Sequence, residues 1–337
     1  MPKVVWIKIG LIGLLFIFVF SGCQVRKKEP QLETVQPDKN IPYEIIEPTA
    51  FRLLDGQAVP IGQESFLPVV LVVDNLLGAV SLIGLESSAI IYEIPVEGGL
   101  TRLMAIFDYQ DLSSKVGPVR SARPAFAEIT QEYKAIFIHA GGSPEVLEKI
   151  KKGFYKIYDL DEISWQGFYF RRDYNLPRPH NLYIEKVAVE KFVEDKKINL
   201  KADFTPWPFS QSLELSGRAS EKIKIKFSAN YSVVWQYNLE SKVYNLWQNN
   251  KLLEGININN LIIQYTDISI IDQEGRRRIR LTGEGRVLIC QQGICQEGRW
   301  KKELGRTRFY NQAGEEIKLL PGKTWLSIVS DKMAVSY

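Results

Sequence analysis

The sequence predicts an α/β amino-terminal domain followed by a mainly antiparallel β (α+β) carboxy-terminal domain. Three observations predict this fold. Residues 68–73 form an unbroken Val/Leu run, which is typical of a strand buried on both faces. Residues 125–145 alternate helical patterns with an apolar strand, as α/β layers do. Beyond residue 222, short apolar strands are separated by turn residues, which indicates a compact antiparallel domain.

The first 22 residues have the pattern of an export signal. Two lysines precede an apolar run over residues 9–20, and the small pair Ser21-Gly22 stands directly before Cys23. The alternative is an uncleaved membrane anchor, but the run is shorter than the ~20 apolar residues that span a bilayer. We therefore expect a lipoprotein signal peptide over 1–22 and acylation, as with palmitate, at Cys23. The mature protein would be lipid-anchored on the extracytoplasmic face of the cell membrane.

The remaining chain divides by composition. Residues 23–60 are polar and contain prolines, so we predict a flexible tether. The α/β domain is expected over 61–200 and the β-rich domain over 222–337, separated by a Pro- and Ser-containing break. The net charge of +4 is weak and gives no reason to expect a nucleic-acid partner.

Polar and glycine-rich residues follow the predicted strands of the first domain. Ligands of open α/β sheets collect at the carboxyl ends of strands, so these residues are the candidate ligand-binding set. Arginine forks bind phosphate or carboxylate, and histidine exchanges protons near neutral pH. The candidates are Asp74, Asn75, Glu93, Glu97, Arg102, Arg120, Ser121, Arg123, His139, Ser143, Arg172, Asp173, His180 and Asn181.

Each candidate also has a structural interpretation. Glycine pairs are often turns, and Arg120 and Arg123 could pair with Glu93 or Glu97 to brace the strand ends. Ser121 and Ser143 lack the G-x-S-x-G surroundings of a nucleophile. The sequence has no phosphate-binding P-loop and no dinucleotide fingerprint, so we predict no cofactor. With two histidines and three cysteines, we also predict no metal site.

The second domain offers two features. Cys290 and Cys295 flank a Gly-containing turn between two strands, where a cross-strand disulfide is allowed outside the cytoplasm. Four tryptophans stand in short strands, where aromatic residues usually belong to the core, although a carbohydrate-stacking surface is the functional alternative. They are Trp235, Trp247, Trp300 and Trp325.

At several of these segments the sequence resembles the YerB-like lipoproteins of Gram-positive bacteria, whose two consecutive domains are of unknown function. The matching stretches include 96–102, 117–124, 139–144, 179–183, 234–237 and 321–325. Two positions depart from the family. Residues 78–81 lack an arginine found there in the family, and Leu246 replaces another. The resemblance implies location and architecture and no established activity.

Three functions remain open at this point. The first is an envelope lipoprotein whose amino-terminal domain binds an anionic cell-wall or lipid-linked ligand, or a partner protein. The second is an enzyme acting on phosphorylated or lipid-linked wall precursors, with Glu93, Glu97 or His139 as acid or base. The third is a purely structural role for the polar clusters.

Overall fold

A computed structural model describes residues 50–75, 82–248 and 250–337. The predicted signal peptide, Cys23 and residues 23–49 of the predicted tether lie outside these residues. Residues from Ile46 to Tyr337 form one compact unit. Within the described ranges, no helix combines the length and the apolar character needed to cross a membrane.

The amino-terminal half of the described chain contains ten strands and all three α-helices found in the described residues. The strands are β1 (Ala50–Phe51), β2 (Ala58–Val59), β3 (Pro68–Val73), β4 (Ile90–Pro95), β5 (Thr101–Asp108), β6 (Lys115–Val116), β7 (Ile136–His139), β8 (Tyr158–Asp161), β9 (Phe170–Arg172) and β10 (Leu182–Glu185). The helices are α1 (Pro124–Thr130), α2 (Pro144–Lys151) and α3 (Lys186–Lys196), and short 3-10 turns cover Leu85–Ser87 and Glu97–Gly99.

In the carboxy-terminal half, the described residues form strands and no helix. The strands are β11 (Arg218–Ala219), β12 (Lys222–Lys226), β13 (Ser232–Asn238), β14 (Val243–Gln248), β15 (Lys251–Ile258), β16 (Asn260–Tyr265), β17 (Ile268–Ile270), β18 (Arg277–Ile279), β19 (Glu284–Gln291), β20 (Ile294–Glu303), β21 (Arg306–Tyr310), β22 (Thr324–Val329) and β23 (Ala334–Ser336).

One large sheet joins the two halves of the sequence. It has eleven described strands in the order β11-β20-β19-β16-β22-β4-β5-β3-β7-β8, with β21 paired to β20. The two halves meet at β22, which pairs in parallel with both β16 and β4. This pairing places Ser327 opposite Glu93. The two halves therefore share one continuous sheet.

The α/β expectation for the amino-terminal domain is correct only in part. Strands β3, β4 and β5 are antiparallel neighbours, so no helix is needed to connect β4 to β5. Parallel pairing with helical crossovers is limited to β3, β7 and β8, with α1 and α2 before and after β7. The described chain is β-rich throughout.

A five-stranded antiparallel sheet covers one face of the large sheet. Its order is β15-β14-β13-β12-β23. Alternation along β12 exposes the lysines and buries Ile223 and Ile225. The inward Trp235 of this sheet meets Trp325 of β22 edge to face, with ring centroids 5.1 Å apart. This contact buries apolar surface between the two sheets.

Residues 50–60, which the sequence assigned to the end of the tether, are folded. Strands β1 and β2 pair as a hairpin, and Arg52 forms ion pairs with Asp55 at 2.6 Å and with Asp111. The tether interpretation fails here because the charged residues pair with the folded unit instead of remaining in solvent.

The cysteine hairpin has the expected geometry. Strands β19 and β20 place Cys290 opposite Cys295, and an S–S bond joins them. The two-residue turn between the strands, Gln292-Gly293, has positive φ at both positions, which suits a tight hairpin turn.

Candidate functional site

Several of the predicted site residues gather at one edge of the large sheet, where β3 and β4 end and β5 begins. β3 ends at Val73 and β4 runs past Glu93, and both strands pair with Leu103 near the start of β5. The residues that follow or precede these positions therefore lie side by side. Successive side chains point to opposite faces, so the edge presents two separate polar groups.

The first group is a set of three arginines and two carboxylates, which we call the arginine cluster: Arg102, Arg120, Arg123, Asp74 and Glu97. Arg120 Nε lies 3.0 Å from Asp74 Oδ2, although it lacks the angle of a hydrogen bond. Arg123 Nε donates to Glu97 Oε1 at 2.6 Å. All three arginine side chains are half-buried and reach the molecular surface.

The backbone of residues 118–123 positions two of these arginines. The segment is extended and lies between β3 and the loop after β7, since the Arg120 N–H donates to the Val72 carbonyl. The Ala140 N–H in turn donates to the Arg120 carbonyl. Arg123 precedes α1, and Pro124 occupies the first turn of that helix. These hydrogen bonds therefore hold the segment that carries Arg120 and Arg123 in place beside β3.

The side chain of Arg102 reaches this segment from β5. Its Nη1 donates to the Ser121 carbonyl at 2.9 Å, and among the described residues it has no carboxylate within ion-pair distance. The pKa of Arg102 is lowered to about 10, first by burial and then by the neighbouring charges of Arg123 and Arg120, while the charges of Glu97 and Asp74 partly oppose this. Arg102 therefore contributes a positive charge that the cluster does not fully balance.

The Glu97 carboxylate of the cluster is held in its ionised form. Burial opposes ionisation of Glu97, but the hydrogen bond and charge of Arg123 outweigh it and lower the pKa of the Glu97 carboxyl. Asp74 also contacts His180, whose Nδ1 lies 2.5 Å from Asp74 Oδ2. The loop that carries His180 thereby closes over one side of the cluster.

The second group lies on the opposite face and centres on Glu93, which is fully buried. Its Oε1 accepts hydrogen bonds from the Tyr231 hydroxyl at 2.7 Å, Thr101 Oγ1 at 3.0 Å and Asn75 Nδ2 at 3.2 Å. Its Oε2 faces two donors on β22, Trp325 Nε1 at 3.3 Å and Ser327 Oγ at 3.4 Å. Glu93 thus connects the two halves of the chain beneath the five-stranded sheet.

Burial dominates the electrostatics of Glu93. It raises the pKa of the carboxyl to about 7, although the hydrogen bonds from Tyr231, Thr101, Trp325 and Ser327 lower it in part. The group has no exposed surface, so it does not meet solvent directly. Glu93 does not pair with Arg120 or Arg123, because it faces the other side of the sheet.

His139 lies apart from both groups. Its Nε2 is 2.8 Å from Asp159 Oδ1, and its Nδ1 is 2.9 Å from the Gly141 carbonyl. The Gly141 N–H donates to Asp161 Oδ1 at 2.6 Å, with a positive φ at Gly141 that a glycine adopts without strain. His139 is fully buried, so these contacts fix the turn between β7 and α2.

The remaining candidates hold loops together. Arg172 pairs with Glu162 at 2.9 Å and donates to Asn181 Oδ1 at 3.1 Å. Asp173 Oδ1 accepts the Asn175 N–H at 3.0 Å, which closes a local turn. Ser143 stands before α2 without a capping bond from its side chain, and its buried hydroxyl has no hydrogen-bond partner within the described residues.

Sequence reasoning missed several residues that the fold brings to the site. Tyr231 and Gln248 reach Glu93 and Asn75 from the five-stranded sheet, with Gln248 Nε2 3.1 Å from the Tyr231 hydroxyl. Arg277 of β18 donates to the Val96 carbonyl at 3.2 Å, directly before Glu97. No motif marks these residues, since they reach the site through contacts between the two halves, such as the pairing of β22 with β4.

The comparisons with known proteins decide the family. Residues 56–199 match the family described as "Protein of unknown function (DUF3048) N-terminal domain", and residues 223–326 match its C-terminal domain. The chain belongs to the DUF3048 family. The two consecutive domains of DUF3048 therefore divide a sequence that folds here around one shared sheet.

One relative of this DUF3048 chain, from Bacillus subtilis, matches both as a sequence and as a solved structure. A protein called "Putative lipoprotein YerB" is 31% identical over 279 residues, which cover 80% of this chain and 83% of the relative. A crystal structure of the YerB protein is similar with a TM-score of 0.77 at 28% identity, and the match covers 86% of this chain and 100% of the solved chain. The YerB-like resemblance is therefore confirmed.

Two places in the sequence of this chain depart from the family pattern, and the structure describes one of them. Leu246 lies on the inner face of β14 and is fully buried, so its side chain belongs to the hydrophobic core and carries no charge. Residues 78–81 lie outside the described residues. No group of three or more His, Cys, Asp or Glu side chains suited to a metal ion occurs in the described part of the chain.

Proposed function

We propose that this protein is an extracytoplasmic lipoprotein, anchored at Cys23, which binds an anionic group of an envelope polymer or partner protein at the arginine cluster. The lipoprotein signal in the sequence and the name of the Bacillus subtilis relative support the location. The geometry of the cluster supports the binding activity.

The observation that carries the proposal is the incomplete charge balance of the cluster. Three guanidinium groups stand with two carboxylates, and Arg102 has a backbone carbonyl as its described partner. Like charges held together in a half-buried place are unfavourable unless an anion joins them. A carboxylate or phosphate would be bound by forked, charge-assisted hydrogen bonds.

The surroundings of the cluster favour binding over turnover. Of the acid or base candidates, Glu93 and His139 are fully buried, and Glu97 is ion-paired with Arg123. A group that is closed off from solvent or held in an ion pair is poorly placed to exchange protons with a substrate. The enzymatic alternative therefore has less support from the described contacts.

The test uses the chain from Ile46 to Tyr337 and solubilised cell-wall fragments as the probe. Arg120→Gln and Arg123→Gln should each weaken binding by about tenfold, which corresponds to ~1.4 kcal/mol for the loss of a charge-assisted contact. Measured affinity at constant ionic strength reports this change.

The matched control is Arg278→Gln, which removes an exposed arginine that has no ion pair among the described residues. It should leave binding unchanged. Equal affinity of the unaltered chain, Arg120→Gln and Arg123→Gln would contradict the proposal, as would an equal loss in the control.

A further inference from the structure

The outer face of the five-stranded sheet carries a cavity that the arginine cluster does not share. Its volume is about 330 Å³, at the small end of the ~300–1,000 Å³ typical of ligand pockets. Its walls come from β12, β13, β14 and the turn after β14. The residues used below are Lys222, Lys224, Ser232, Gln236, Trp247 and Asn250.

Trp247 is the unusual residue of this face. The other three tryptophans singled out in the carboxy-terminal half, Trp235, Trp300 and Trp325, are fully buried, whereas Trp247 is 39% exposed. In its register Trp247 lies opposite Val234 on β13, and Val234 lies opposite Lys224 on β12. A flat indole surface is therefore open to solvent, and the exposed lysines of β12 lie across β13 from it.

The charge of the cavity is positive. Lys222 and Lys224 are outward residues of β12, and neither forms an ion pair with any carboxylate of the described chain. Both are exposed, and Gln236, Asn250 and Ser232 add two amides and a hydroxyl to the lining beside the apolar side chain of Val234. An occupant must accordingly offer a flat apolar surface, hydroxyls and a negative charge together.

We infer that this cavity binds an anionic oligosaccharide, with one sugar ring stacked on Trp247 and its carboxylate or phosphate paired with Lys222 and Lys224. The C–H face of a pyranose ring is flat and apolar, so stacking removes apolar area of both the ring and the indole from water. Its hydroxyls match the amide and hydroxyl lining. The lysines favour a charged sugar over a neutral one.

Calorimetric titration of the chain from Ile46 to Tyr337 tests this inference with four probes. The probes are tetragalacturonate, phosphorylated maltotetraose, unmodified maltotetraose and a single-stranded oligothymidylate. We expect at least one charged sugar to bind more tightly than maltotetraose and the oligonucleotide. The two charged sugars distinguish a carboxylate site from a phosphate site. Binding should weaken as salt screens the lysines.

Variants locate the binding. Trp247→Ala should weaken it by about tenfold or more, Trp247→Tyr should retain most of it, and the double change Lys222→Gln and Lys224→Gln should also cost about tenfold. Matched controls are Phe154→Ala, an exposed aromatic elsewhere, and the pair Lys151→Gln and Lys156→Gln. Circular dichroism and melting temperature establish that each variant is folded.

Three results would overturn the inference. The first is that neither charged sugar binds the unaltered chain. The second is that maltotetraose or the oligonucleotide binds as tightly as the charged sugars. The third is that Trp247→Ala binds like the unaltered chain, which would place the binding elsewhere. Arg120→Gln and Arg123→Gln should not affect this site, so its failure and that of the arginine cluster can be told apart.

Discussion

At the scale of single residues, the protonation of Glu93 should govern how stability depends on pH near neutrality. The folded-state pKa of about 7 is above the ordinary value of 4.5, so the folded protein keeps a proton that the unfolded chain releases. The stability that this provides is complete below pH ~4.5 and falls as the pH rises toward 7. Above pH 7, the ionised and buried group costs roughly 3 kcal/mol.

Glu93→Gln should remove this dependence. Gln keeps an oxygen for Tyr231, Thr101 and Asn75, while its amide loses the weaker contact with Trp325. Urea unfolding at pH 5 and pH 8 should show the unaltered protein losing stability relative to the variant as the pH rises. Parallel stability profiles for the two proteins would contradict the assignment.

The single residues also show what the sequence could and could not predict. The arginine and carboxylate types at the strand ends were predicted, since strand boundaries and charged residues are local properties. The pairing was predicted only in part: Arg123 pairs with Glu97, which was one of the alternatives, whereas Glu93 lies on the opposite face from Arg120 and Arg123. The sheet face to which a side chain points depends on strand register, and a shift of one residue in register moves the side chain to the opposite face.

At the scale of elements, the disulfide of the cysteine hairpin should add stability by reducing the conformational entropy of the unfolded chain. The six-residue loop that Cys290 and Cys295 close corresponds to ~2 kcal/mol of lost chain entropy. Cys290→Ala with Cys295→Ala should lower the free energy of unfolding by about this amount, as should reduction of the unaltered protein.

Denaturant unfolding with and without dithiothreitol measures this effect. The reductant should act on the unaltered chain and leave the double variant unchanged. Titration of free thiols on the chain from Ile46 checks the oxidised state directly. Two free thiols under non-reducing conditions, or equal stability of all samples, would contradict the prediction.

Local sequence predicted many of the elements well. The apolar run of β3 was predicted with its observed bounds, and the alternation of helical patterns and a strand over residues 125–145 corresponds to α1, β7 and the start of α2. Local sequence did not predict the position of β22 in the sheet. The apolar composition of a strand indicates that the strand is buried, but it does not indicate which strands pair with it. It also missed β15, which exposes several of its residues.

At the scale of the whole molecule, the two sequence domains should unfold together. β22 stands between β16 and β4, and Arg306 of β21 lies buried over the ring of Tyr133, at 3.9 Å, and of Trp207, at 4.5 Å. Cutting the chain between the halves would leave β4 without β22, one of its two neighbours, and Glu93 without three of its donors.

Calorimetry of the chain from Ile46 to Tyr337 should therefore show one cooperative transition, with equal calorimetric and van't Hoff enthalpies. A fragment ending near residue 215 should not fold alone. Two separate transitions, or a folded amino-terminal fragment with a cooperative melt, would mean that the halves are independent.

The central claim is that the arginine cluster keeps an unbalanced positive charge for a ligand. Thermal unfolding of the unaltered chain and of Arg102→Gln, across increasing concentrations of solubilised wall fragments, tests it in one measurement. Without ligand, the variant should melt at the same temperature or higher, because it relieves repulsion with Arg120 and Arg123. With ligand, its stabilisation should be clearly smaller. A lower melting temperature together with an undiminished ligand shift would contradict the account, since Arg102 would then serve the fold alone.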